Sequence, residues 1–193
     1  MLRNSHASYG AVAIVLHWTI ALLFLGQIAL GYLTQAVADY PRLQFDLYQW
    51  HKSFGFLVLA LALPRIVWSL SSVRPLPLAG VPRWEAMAAR ATHRLLLALT
   101  VAVPFAGWLI ASTSPLRIPS FIFDLILVPD LPLARSDATE AFWSSTHALL
   151  AYGAGLLAFV HAGAAIHHHL LRGDDTLVRM LGTSADGNRQ HIH

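Results

Sequence analysis

Apolar residues fall along the chain in four long blocks separated by shorter polar stretches. A bilayer's hydrocarbon core is about 30 Å thick and an α-helix rises about 1.5 Å per residue, so a block of about 20 apolar residues is long enough to cross it. The first block, AVAIVLHWTIALLFLGQIALGYL (11–33), holds no formal charge. The second, HKSFGFLVLALALPRIVWSL (51–70), is interrupted by Pro64 and Arg65, and an arginine at that depth must snorkel or find an anion or a carbonyl. The third, RATHRLLLALTVAVPFAGWLIAS, covers 90–112, and the fourth covers 146–171. This pattern predicts an all-α membrane protein, a bundle of four transmembrane helices. A fifth patch, IPSFIFDLILVP (118–129), is too short to span and contains Asp124, so it reads as an interfacial segment.

The connections are consistent with that layout. The tripeptide AVA at 36–38 resembles a signal-peptidase site, but the 23-residue run before it exceeds the roughly 7–15 residues of a signal core and carries His17 and Trp18. It reads as a membrane span. The 71–89 stretch, with three prolines and no strong period, is expected to be a linker along the interface, and the polar tail after Gly173 to fray. Residues 1–180 are expected to form one transmembrane domain and 181–193 a flexible tail.

Lys and Arg positions set the orientation. Arg3, Arg65, Arg74, Arg83, Arg90, Arg94, Arg172, Arg179 and Arg189 fall on the side of the termini, against Arg42, Lys52, Arg117 and Arg135 on the other. Nine against four predicts that both termini are cytoplasmic. The outer side also carries six of the ten acidic residues. Only 12% of residues are charged, well under the roughly 25% of soluble domains, and the net charge of +3 is scattered, which argues against a nucleic-acid partner. With no cysteine, disulfides, iron–sulfur clusters and thiolate metal sites are excluded.

Histidine is the unusual residue: there are eleven, several inside the apolar blocks. His147 and His161 are fourteen positions apart on the fourth helix, so they lie nearly on one face, about 21 Å apart along its axis. The antiparallel topology places His51, at the outer start of helix 2, at the depth of His147. His17, roughly 9 Å in from the inner start of helix 1, comes near the depth of His161. Intramembrane histidines are functional candidates because an unpaired imidazole in hydrocarbon costs several kcal/mol. Two imidazoles facing each other across a flat macrocycle are what a six-coordinate b-type haem needs, and two such couples predict two haems. Gly153, Gly155 and Gly55 either give a porphyrin room or let helices pack closely.

Other histidines and cations fit around these couples. His93 starts on the inner side too and competes with His17 to face His161; His17 is favoured because its span is purely apolar. Of His167, His168 and His169, most are expected to be solvated, and His6, His191 and His193 have no role assigned. A zinc or di-iron site would need further ligands close by, and no span carries inward carboxylates. Propionate partners are expected from Arg65 and Arg94 at the inner couple, and from Lys52, Arg42 and Arg117 at the outer. The tryptophans read as an interface belt.

The motifs LHWTIALL, WHKSFG, RIVW, THRLLLALTVAVPFAGW, THALLAY and FVHAGAAIHHHL, with the ending DDTLVRML, resemble the bacterial cytochrome b561 family in order and spacing over nearly all of residues 9–180. The resemblance implies an inner-membrane cytochrome with two b haems, His17 with His161 binding the inner one and His51 with His147 the outer. It also implies exchange of electrons with ubiquinone, and in one branch, superoxide oxidase, uptake of electrons from superoxide. By the same resemblance His168 and basic residues around Arg74 belong near the quinone site; His93, which lies shallower than His17 and could meet a propionate or a bound ligand, is a further candidate on its position. His167 and the absence of lysine from the inner loop depart from the family's pattern.

The expected function is an electron relay from a periplasmic donor to ubiquinone, with lipid as the surrounding partner. Lys52, Arg42 and Arg117 would form a basic funnel for a small anion such as superoxide, against which the six outer acids count. The alternatives are a cytochrome b anchor subunit serving a partner dehydrogenase or hydrogenase, and a histidine-lined metal or proton transporter.

Overall fold

The structure is a computed structural model describing residues 1–76 and 81–182. Four long helices dominate it: α1 (Ala11–Ala36), α2 (Pro41–Ser71), α3 (Arg83–Thr113) and α4 (Asp137–Leu171). Each is long and apolar enough to cross a membrane. Helices α2, α3 and α4 begin seven to ten residues before the apolar blocks do. Their first turns are polar and project past the hydrocarbon, where hydropathy no longer marks a helix but capping chemistry does. Pro41 opens α2 at a position where no backbone N–H is needed. Ser136 caps α4, its Oγ accepting from the Thr139 N–H at 3.1 Å, with Asp137 and Glu140 in the first turn to match the helix dipole. The expected 71–89 linker is therefore shorter, since its second part, from Arg83, is already helix.

The helices pack in sequence, α1 on α2, α2 on α3 and α3 on α4, while α4 and α1 meet only sparsely. Small side chains dominate the interior: Ala13, Ser53, Ala62, Ala106, Ser112, Thr113 and Ala154 are all buried. Lipid tails are as apolar as leucine, so close backbone approach holds such a bundle together better than bulk does. Large apolar groups such as Leu22, Leu149, Leu156 and Phe159 point outward instead. Gly155 belongs to this packing, because a methyl group there would stand 2.9 Å from Ile28 Cδ1 of α1. Gly55 likewise lies against Gln27, whereas a methyl on Gly153 would meet nothing within 4 Å. Of the three glycines considered for a porphyrin, only Gly153 borders open space.

The N-terminal segment, the segment after α4 and residues 72–76 after α2 share one end of the bundle. The Leu76 N–H donates to the His6 carbonyl at 2.9 Å and Asn4 Nδ2 to the Val73 carbonyl at 3.0 Å. The segment after Gly173 does not fray immediately: it turns back and forms α5 (Val178–Leu181). Trp18 Nε1 donates to the Met180 carbonyl and Arg179 to that of Leu76, both at 2.8 Å. Gly182, at φ 75°, ends α5 in the left-handed region. Most of the expected flexible tail, 183–193, including Arg189, His191 and His193, lies outside the described residues.

At the opposite end the 118–129 patch is a β-hairpin, β1 (Ser120–Ile122) with β2 (Ile126–Val128), in register Ser120↔Val128. Phe123 and Asp124 turn it at φ 51° and 58°, the left-handed pair that a tight hairpin requires. Buried Ser53 of α2 anchors the turn, its Oγ accepting from the Phe123 N–H at 2.9 Å while facing the Gln49 and Phe121 carbonyls. Leu125, Ile126 and Leu127 are exposed at its tip. All-α is thus correct for the membrane-spanning part, with one small sheet added outside it.

Candidate functional site: two imidazole couples

Helix α4 presents His147 and His161 toward different neighbours. His147 faces His51 of α2, ring centroids 6.0 Å apart and planes at 82°; His161 faces His17 of α1, 6.4 Å apart at 79°. The sequence expectation of two histidine couples at two depths is met in the side-chain positions. An imidazole nitrogen binds a metal at about 2 Å, so two rings sharing one atom between them have centroids about 6 Å apart. Both couples have that spacing. His93 also approaches His161, at 5.0 Å, which is too close for an atom to lie between the rings and instead suits direct edge packing. Among the described residues no cluster of three or more His, Cys, Asp or Glu side chains is arranged to hold a metal ion.

The backbone around the outer couple shapes it. His147 Nδ1 lies 3.0 Å from the Val103 carbonyl, and a carbonyl only accepts, so Nδ1 carries the proton and Nε2 offers its lone pair. Gly107, one turn along α3, makes the notch: a methyl there would reach 3.4 Å from His147 Cε1. Gly31 does the same for His51, more tightly, at 3.2 Å from Cε1. Gln27 Nε2 donates to the His51 carbonyl at 2.7 Å, joining α1 to α2 at this level. His51 Nδ1 is buried with no partner. Neither Gly31 nor Gly107 was singled out from sequence, because their role depends on which helix passes opposite them.

Arg65 meets a carbonyl, one of the partners its depth called for: Nη1 donates to Ala13 O at 2.7 Å, and the guanidinium remains within electrostatic reach of His17 and His93. Arg74 is within reach of His93 as well, whereas Arg94 is exposed. At the other end Lys52 Nζ bonds the Pro119 carbonyl at 3.3 Å and ties α2 to the hairpin, Arg42 and Arg117 are exposed, Arg42 lining a shallow surface depression with Asp39 and Asp46, and Arg135 pairs with Asp130 at 2.6 Å. Among the tryptophans, Trp18 and Trp108 each donate a ring N–H to a backbone carbonyl near a bundle end, as an interface belt predicts.

His168 is separated from its neighbours by its contacts. Its Nδ1 lies 2.7 Å from Asp174 Oδ2, and Arg172 holds both oxygens of Glu85 at 2.5 and 2.8 Å beside it. Desolvation alone would push the Asp174 carboxyl up, but hydrogen bonds from Thr176 and His168 outweigh it and hold the group below the usual carboxylate range. Bidentate pairing with Glu85 raises the Arg172 guanidinium.

Residues 8–183 match the family described as prokaryotic cytochrome b561. The chain belongs to that family. It is 32% identical over 182 residues to cytochrome b561 homolog 2 of Escherichia coli (strain K12), covering 94% of this chain and 95% of that protein. It is 28% identical over 183 residues to the probable superoxide oxidase CybB of Yersinia pestis, covering 91% and 97%. As a b561 cytochrome it is an electron-transfer membrane protein of b-haem type. Its imidazole couples fit that group: they have the spacing of paired axial ligands, one has its tautomer fixed by a backbone carbonyl, and glycine notches seat the rings.

Proposed function

We propose that this cytochrome b561 holds two b haems, one between His51 and His147 and the other between His17 and His161, and relays electrons between a donor at the hairpin end and ubiquinone at the end of the termini. The observation that carries the reading is that α4 supplies one partner to each of two couples at opposite depths, with centroid spacings of 6.0 and 6.4 Å. Haem supplies reversible one-electron chemistry, which imidazoles alone lack. The chain contributes position: Val103 and Gly107 aim His147, Gln27 and Gly31 seat His51, and Arg65 places positive charge beside the inner couple. The arginine distribution favours the hairpin end as periplasmic and the termini as cytoplasmic. His168, with His93 and Arg74 on the facing elements, is the proposed quinone contact.

Two donors remain in play, superoxide or a docked redox protein. The name of the Yersinia pestis relative supports superoxide. The six acids at the hairpin end, one of them paired with Arg135, offset the field of Lys52, Arg42 and Arg117 and favour the docked partner. A pyridine haemochrome assay is expected to give two haems per chain, falling to one in His51→Ala or His147→Ala. One or no haem in the wild type overturns the dihaem reading. Partner-free reduction of ubiquinone by superoxide would select the first donor, and its absence, with haem content intact, the second.

A further inference from the structure

At the end of the bundle that carries the termini, His168, Asp174, Glu85 and Arg172 form a cluster in which the two carboxylates are bound differently. Glu85 is held at both oxygens by Arg172 and is left as a static anion. Asp174 is held at Oδ1 by the Thr176 N–H at 2.9 Å and turns Oδ2 to His168 Nδ1 at 2.7 Å. A carboxylate accepts, so the proton between them belongs to Nδ1. His168 Nε2 is then the exchangeable nitrogen, and Glu85 Oε2, 3.7 Å away, is too far to hydrogen-bond it. The result is a histidine fixed in one tautomer by an oriented acid, with one nitrogen left for a substrate.

We infer that Asp174 is a positioning residue that holds His168 as a single-nitrogen proton donor to one carbonyl oxygen of the quinone. This rests on the reading that quinone is reduced at this end. Reduction takes two electrons from the donor at the other end and two protons. At the carbonyl facing His168 an O–H bond forms as the Nε2–H bond of protonated His168 breaks, and solvent at the bundle end restores the proton to Nε2; the para carbonyl, on the far side of the quinone ring, takes its proton from solvent. The Nδ1 proton stays on the imidazole, bonded to Asp174, so the ring neither turns nor changes partner during the transfer.

The mutant series separates this role from a structural one. In Asp174→Asn the Thr176 N–H keeps the amide oxygen, so the amide NH2 faces His168 Nδ1 and drives the proton to Nε2, the wrong tautomer. In Asp174→Ala both tautomers coexist. A purely structural role ranks Ala as the worse variant; tautomer control ranks Asn as the worse. With haem-loaded, detergent-purified protein, 15N NMR of selectively labelled histidine in the reduced state is expected to show Nδ1–H in the wild type and Nε2–H in Asp174→Asn. Reduction of decylubiquinone is expected to fall at least tenfold in Asp174→Asn and less in Asp174→Ala, while ferricyanide, which takes electrons without protons, reacts at wild-type rate. A wild-type tautomer or quinone rate in Asp174→Asn overturns the inference alone. Failure of the wild type to reduce decylubiquinone, with ferricyanide reduction intact, overturns the quinone reading and the inference with it.

Discussion

Gly31→Ala isolates the seating of His51 from every other property of α1. The added methyl would stand 3.2 Å from His51 Cε1 and 3.6 Å from Nδ1. Carbon atoms settle at about 3.5–4.0 Å, so the ring must retreat by roughly half an ångström. Metal–ligand distances tolerate only about ±0.2 Å, and changes in residues that support a ligand commonly cost about 10–100-fold in affinity. Haem should leave the outer couple about tenfold faster, followed as Soret-band transfer to excess apomyoglobin. Alanine favours helix over glycine by about 1 kcal/mol, so a faster loss cannot be ascribed to a weakened α1. Gly107→Ala is the milder comparison: its methyl would lie 3.4 Å from His147 Cε1, at the edge of ordinary contact, and haem loss should rise by no more than about twofold. Equal rates for Gly31→Ala and the wild type, or equal acceleration by both substitutions, would refute the reasoning.

Two further outcomes follow from the geometry. His93→Ala should retain two haems per chain while His17→Ala and His161→Ala each lose one, because 5.0 Å between the rings of His93 and His161 leaves no place for a shared metal; a haemochrome count showing the reverse would exchange the two roles. Ser53→Ala leaves the Phe123 N–H without its acceptor, at a cost of about 1–3 kcal/mol, and should hasten proteolytic cleavage of the 120–128 hairpin in proteoliposomes. Unchanged cleavage would mean that Lys52 and the strand ladder suffice to hold it.

What the sequence made legible follows from distance along one helix. Fourteen residues between His147 and His161 determine both their shared face and their separation, and antiparallel connection brings His51 and His17 to matching depths. Those are one-dimensional facts. The distinction between His17 and His93 was not of that kind, since both start from the same surface and only the lateral packing of α1 and α3 around α4 separates 6.4 Å from 5.0 Å. Gly31, Gly107 and the Val103 carbonyl were invisible for the same reason. The hairpin was missed because strand pairing depends on a partner and on two left-handed residues, Phe123 and Asp124, of which phenylalanine gives no turn signal. Lys52 was read as a free charge because sequence shows a cation's sign but not the carbonyl that engages it.

That α4 furnishes a ring to both couples also constrains biogenesis. Of the four long helices it is the last to leave the ribosome, and until it has inserted, His17 and His51 each lack an opposite imidazole. Under the proposed ligation neither couple can close before α4 has inserted, so a chain stalled before residue 147 should accumulate colourless.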